Sequence, residues 1–136
     1  MRLTAEEIVR YTEGECCFFA FAIRDAFNAT VHALVETCKS DGHRNLIHAF
    51  CVKGEHEIDA NGIHPKGHFK VSDCEGTLFP NEESYFELVT NIKESDFESM
   101  REGLYSYDLK DDNNKVSHPE LVKRVREVTP FKDTLS

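Results

Sequence analysis

Hydrophobic and polar positions alternate along this chain in blocks that change period, and the changes mark its elements. Thr4 and Glu7 have capping-box spacing, with Leu3 and Ile8 at the hydrophobic-staple positions, so a short helix is expected from Ala5. From Cys16 to Ile23 the residues are almost wholly apolar, with Cys16, Phe19, Ala20 and Ile23 on one helical face and Asn28 as the stop. Ala29–Thr37 reads as a strand leading into the turn Lys39-Ser40-Asp41-Gly42. Asn45–Val52 and Glu55–Ala60 read as two further strands joined at Lys53-Gly54. The segment from Gly62 to Pro80 holds Gly62, Pro65, Gly67 and Gly76 among polar residues and reads as mostly loop.

After Pro80 the pattern predicts a helix over Glu82–Ile92. A capping box at Ser95 and Glu98 predicts a short helix containing Phe97, Met100 and Leu104. Asp108–Lys115 is a charged loop. Ser117, Pro119 and Glu120 then open a final helix with Leu121, Val122, Val125 and Val128 on its apolar face. The expected fold is α+β: an antiparallel sheet of about three or more strands packed against an N-terminal cysteine-bearing helix, with additional C-terminal helices.

The candidate chemistry lies in the first half. A thiol at a helix N-terminus meets unpaired N–H groups and about half a positive charge, which favour a thiolate and can hold an oxyanion. If Lys53-Gly54 is a two-residue loop, His48 falls directly opposite Asp59 on one face of the hairpin, with Cβ atoms about 5 Å apart. That is the pairing in which a carboxylate orients an imidazole. A one-residue slip would place the two groups on opposite faces. The plain structural alternatives are two small buried hydrophobes at Cys16 and Cys17, and an Asp59 that only caps the turn after it. Cys17 points about 100° around the helix from Cys16, so the two cannot face the same histidine.

Gly14-Glu15-Cys16 with Phe19-Ala20-x-Ala22-Ile23, then His48-Ala49-Phe50, then Glu57-Ile58-Asp59-Ala60-x-Gly62, resembles small bacterial and phage members of the papain-like, NlpC/P60- and transglutaminase-like cysteine enzymes. The resemblance covers about residues 10 to 65 and implies a single papain-like α+β domain over 1–136. It implies Cys16 as nucleophile, His48 as general base and Asp59 as the acid that orients the histidine. Papain-type enzymes carry a glutamine a few residues before the cysteine as an oxyanion donor. Here that stretch is Arg10-Tyr11-Thr12-Glu13, leaving Tyr11 as the candidate substitute, with Cys17 as a second support.

With 136 residues, 40% hydrophobic and 30% charged, the chain has the size and composition of one globular domain. Its net charge of −9 opposes phosphate contact, so no nucleic-acid partner is expected. No apolar run approaches the roughly 18 residues of a membrane span, and no basic-then-apolar leader opens the chain. Five cysteines without a framework spacing point to free thiols in a reducing compartment, the cytoplasm. No glycine-rich phosphate loop with lysine occurs, and no cofactor or metal is implied by the favoured reading. The resemblance implies a peptide or protein amide, or an ester, as substrate and hydrolysis or acyl transfer as the reaction.

Two other readings stand beside it. His64, His68 and Cys74 supply zinc-ligand types within eleven residues, although Pro65 and Gly67 keep the histidine pair off a helix. Alternatively the chain is a catalytically inactive interaction module of the same fold, with an inert Cys16 and apolar surface at Phe86, Tyr105 and Tyr107.

Overall fold

The structure, a computed structural model, describes residues 2–13, 15–74, 83–100 and 116–136. The chain runs α1 (Ala5–Glu13), α2 (Cys16–Phe27), β1 (Thr30–Cys38), β2 (Arg44–Lys53), β3 (His56–Asp59), β4 (Gly62–Pro65), β5 (Ser84–Val89), α3 (Glu94–Met100), α4 (His118–Glu127) and α5 (Thr129–Leu135), with a 3₁₀ turn at Val71–Asp73. The fold is α+β. Its antiparallel five-stranded sheet has the order β4-β3-β2-β1-β5.

Local signals set the helix starts. The Thr4 backbone N–H donates to Glu7 at 2.9 Å and the Glu7 N–H donates to Thr4 Oγ1 at 3.1 Å, closing the expected capping box. α2 ends at Asn28, whose φ of 56° is the left-handed conformation that asparagine tolerates at a helix C-terminus. The Glu120 N–H donates to the Ser117 hydroxyl at the start of α4. Cys16 to Ile23 are buried without exception, because α2 lies between the sheet and helices α1 and α4. A helix apolar all round belongs in the centre of a fold.

Elsewhere the structure departs from expectation. Ser84–Val89 is a strand and not the N-terminal part of a helix. It pairs along β1, where Ser84 Oγ donates to buried Glu36 at 2.6 Å and Thr37 Oγ1 donates to Glu87 at 2.8 Å. Tyr85, Phe86 and Val89 suit a pleated, half-buried surface better than an isolated helix. Gly62–Pro65, expected within a loop, forms β4 on the outer side of β3. α3 begins at Glu94, one residue before the proposed Ser95 cap, and the Lys93 N–H donates to Asp96. Val128 is a link between α4 and an additional helix, α5, instead of the last residue of one helix. Leu104, Tyr105, Tyr107 and the 108–115 loop lie outside the described residues.

The β2–β3 hairpin turns at Gly54-Glu55, not at Lys53-Gly54. Lys53 pairs with His56, Val52 with Glu57 and Cys51 with Ile58. Gly54 has φ +59°, a conformation that costs glycine nothing at the first loop position. The register is therefore shifted by two residues, and His48 is not directly opposite Asp59. A shift of two preserves which side chains share a face.

Candidate active site

The site forms where α2 meets β2. β3 pairs with β2 only from Cys51 to Lys53, so the preceding edge of β2 is left for the N-terminal end of α2. There the Cys16 sulfur lies close enough to the Ala49 backbone N–H and the His48 imidazole for both to act on its ionisation. A bulge at Ile47 interrupts the β1–β2 ladder directly before His48: Leu34 opposes His48, but Val35 opposes Leu46. Bulges locally kink and twist a strand and so re-aim the side chains beside them.

His48 Nε2 is 3.2 Å from Asp59 Oδ2, which leaves Nδ1 as the ring nitrogen available to Cys16. Asp59 is 5% exposed, and its other oxygen accepts the His64 Nε2–H at 2.9 Å and the Asn61 backbone N–H at 3.0 Å. Phe69 closes over the imidazole, with ring centroids 5.0 Å from His48 and 4.4 Å from Phe50. The loop carrying Phe69 is held by buried Glu57, whose carboxylate accepts the N–H groups of Gly67 at 2.8 Å and Phe69 at 2.9 Å.

These contacts separate the ionisation of otherwise similar groups. A hydrogen bond from Cys17 holds the Cys16 thiol well below its ordinary value. Burial opposes this, while the bond from His48, its charge and the Ala49 N–H assist it. Burial alone would lower His48, but the hydrogen bonds to Asp59 and Cys16 outweigh it and push His48 up to about 9. Burial would raise Asp59, yet the bonds from His48 and His64 hold it below the ordinary carboxylate range. Cys17 moves the other way: burial, then its bond with and the charge of Cys16, push its thiol well up. Burial likewise pushes Cys51 far up, and its S–H donates to the Ala20 carbonyl at 2.9 Å. All three directions favour a Cys16 thiolate paired with a His48 imidazolium, with Cys17 kept as a neutral thiol.

The structure thus brings Cys16, Cys17, His48 and Asp59 together. Tyr11 goes elsewhere: its ring stacks on Phe19 at 5.3 Å and packs on Phe18 in the core, and burial raises its phenol. His64 and His68 stack face to face at 3.9 Å, while the Cys74 thiol contacts the Lys70 carbonyl at 3.9 Å. Among the described residues no three His, Cys, Asp or Glu side chains are arranged to hold a metal ion. No described helix is long and apolar enough to cross a membrane.

Sequence reasoning missed the parts that surround the triad: His64 on Asp59, Glu57 as the clamp, Phe69 as the cover and the bulge at Ile47. The Asp59-Ala60-Asn61-Gly62 turn was a signal for a further strand carrying His64. The bulge and the clamp had no local signature. No family model, curated protein or solved structure matches this chain.

Proposed function

We propose that this protein is a papain-like cysteine hydrolase or acyltransferase acting on a peptide or protein amide, or on an ester. The observation that carries the reading is the His48 imidazole held by the Asp59 carboxylate at 3.2 Å and close enough to Cys16 to act on its ionisation. The Cys16 thiolate attacks the substrate carbonyl carbon, and the carbonyl π electrons move to oxygen, forming a tetrahedral oxyanion. Backbone N–H groups at Cys16 or Cys17 stabilise that oxyanion. The N-cap Glu15 makes no side-chain bond to this first turn and is ion-paired with Arg10 at 3.3 Å. As the C–N or C–O bond breaks, the His48 imidazolium protonates the leaving amine or alcohol, leaving a Cys16 thioester. Neutral His48 then takes a proton from water or an acceptor amine, whose attack releases the acid or the transferred acyl group and restores the thiolate. Asp59 keeps the imidazole oriented and stabilises its cationic form.

Cys16 is favoured over Cys17 as nucleophile because Cys17 is held protonated by burial and by its neighbour. Cys16 is also the more exposed, at 8% against 2%. That 8% is nonetheless low, and it favours a second reading: an interaction module in which the buried thiol is inert.

The two readings separate on the alkylation rate of each cysteine against pH, read by peptide mass spectrometry on native protein and on His48→Ala. The enzyme reading expects Cys16 to react below pH 7 about tenfold faster than Cys74, with that advantage lost in the variant. A Cys16 no faster than Cys74, or protected in the folded protein, makes the chain a binding module.

A further inference from the structure

Asp59 is shared by two imidazoles, and the second has no place in the chemistry above. We infer that His64 is a positioning residue that fixes the plane of the Asp59 carboxylate, so that Oδ2 stays aligned with His48. This inference rests on the Cys16–His48–Asp59 reading.

The bonds divide the carboxylate unequally. Oδ1 accepts from His64 Nε2 at 2.9 Å and from the Asn61 N–H at 3.0 Å, while among the described residues Oδ2 meets His48 alone, at 3.2 Å. An ionised carboxylate has no proton to give, so both imidazoles donate their Nε2–H groups to it. The Asn61 N–H alone restrains Oδ1 loosely, because a single hydrogen bond tolerates tens of degrees of swing about the Cβ–Cγ bond. A second donor reaching Oδ1 from another direction stops that swing.

His64 is built for this role by its surroundings. It sits in β4 directly opposite Glu57, and its ring is sandwiched by geometry from two sides. His68 stacks on it at 3.9 Å with planes 8° apart, and Phe69 meets it at 5.5 Å and 90°. Phe69 also packs on His48, so one loop locates both imidazoles. The titratable groups facing Asp59 are His48 from β2 and His64 from β4. Cys16 of α2 acts through His48, His68 stands behind His64, and Glu57 is occupied by Gly67 and Phe69. Without the His64 donor, the carboxylate turns, water competes for Oδ2, and the His48 cation loses its partner for part of the time. The Cys16 thiolate is then less populated at any given pH.

The test is the pH profile of iodoacetamide alkylation at Cys16 in wild type, His48→Ala, His64→Phe and His64→Gln, with Cys74 in the same molecules as internal control. Phenylalanine keeps a flat ring against His68 but removes the donor, whereas glutamine loses the ring and keeps an N–H. The expected result is a Cys16 rate at pH 7 about fivefold to tenfold lower in His64→Phe, with the profile moved to higher pH. His64→Gln is expected to stay within about twofold of wild type. If His64→Phe does not melt cooperatively, His64→Leu takes its place. A His64→Phe profile that coincides with wild type overturns the inference while leaving the proposed function standing. A Gln variant as slow as the Phe variant, or slower, also overturns it, because packing would then be the role of the ring. A wild-type Cys16 with no advantage over Cys74 overturns the proposed function, and this inference with it.

Discussion

The two faces of the sheet are built by different forces. The face toward the helices carries Val31, Ala33, Val35, Ala49, Cys51 and Ile58, each at most 1% exposed and packed with Phe18, Phe19, Phe21 and Phe131. Lys53 sits at its margin, where its ammonium donates to the Phe27 and Leu135 carbonyls that end α2 and α5. The opposite face carries His32, Leu34, Glu36, His48, Phe50, Glu57 and Asp59, roofed in part by Phe69. On the first face stability comes from apolar area and close packing. On the second, buried charge is admitted only where hydrogen bonds answer it, as at Glu57 and Asp59. Cys16 lies where the two meet, and this explains how a residue of the apolar core is also in contact with an imidazole.

The comparison breaks most visibly on the helix side. Phe21 is 0% exposed at the middle of α2, so Phe21→Ala is expected to destabilise the fold by about 3–5 kcal/mol in urea unfolding. A loss under about 2 kcal/mol would mean that the apolar face is not the main support of the fold.

A smaller effect is expected from the polar face. Glu57→Gln replaces one acceptor oxygen by an amide group that cannot accept, leaving the Gly67 or Phe69 N–H without its partner. The expected cost is about 1–3 kcal/mol. Hydrogen exchange locates it: the Gly67 and Phe69 amides should lose protection while those of α2 keep theirs. Uniformly faster exchange would show that the clamp is global and the two faces are not separable.

The smallest effect in wild type is its pH dependence, because two contributions oppose. His48 is raised from about 6.5 to about 9 on folding, so its stabilisation is complete below pH about 6.5 and is lost as pH rises to about 9. Cys16 is lowered, so its stabilisation is complete above its unfolded value of about 8.5 and is lost as pH falls through its folded value. Between about 6.5 and 8.5, wherever Cys16 is ionised and His48 protonated in the folded protein, the folded ion pair and the unfolded thiol plus neutral imidazole hold the same number of protons. The wild-type urea midpoint is therefore expected to stay level there. In Cys16→Ser the opposing contribution is gone and Asp59 is left to hold His48 up, so the midpoint falls as pH rises, over a window narrower than the wild-type shift. A wild-type midpoint falling as steeply as the variant's would show that Cys16 is not ionised in the folded protein.

Much of this was legible in order along the chain. Thr4 with Glu7, Asn28 after the apolar run, and Ser117 before Pro119 are signals a few residues wide, and each sits where its element begins or ends. The His48–Asp59 pairing was legible for a related reason. Strand side chains alternate with period two, so the two-residue error in the hairpin register moved His48 and Asp59 along the face without parting them. Ser84–Val89 and Gly62–Pro65 were misread because their strand character depends on partners far away in sequence or across an unanticipated turn.

The sequence by itself therefore determined the starts of α1 and α4, the end of α2, the α+β class and the face shared by the histidine and the aspartate, since these follow from neighbours within about a dozen residues. The tertiary structure alone decided that Ala49 and His48 reach Cys16, that Glu57 ties down the Phe69 loop, and that Asp59 serves two imidazoles. Those contacts join different elements, and their geometry exists only once the sheet has taken its register and α2 has docked against the edge of β2.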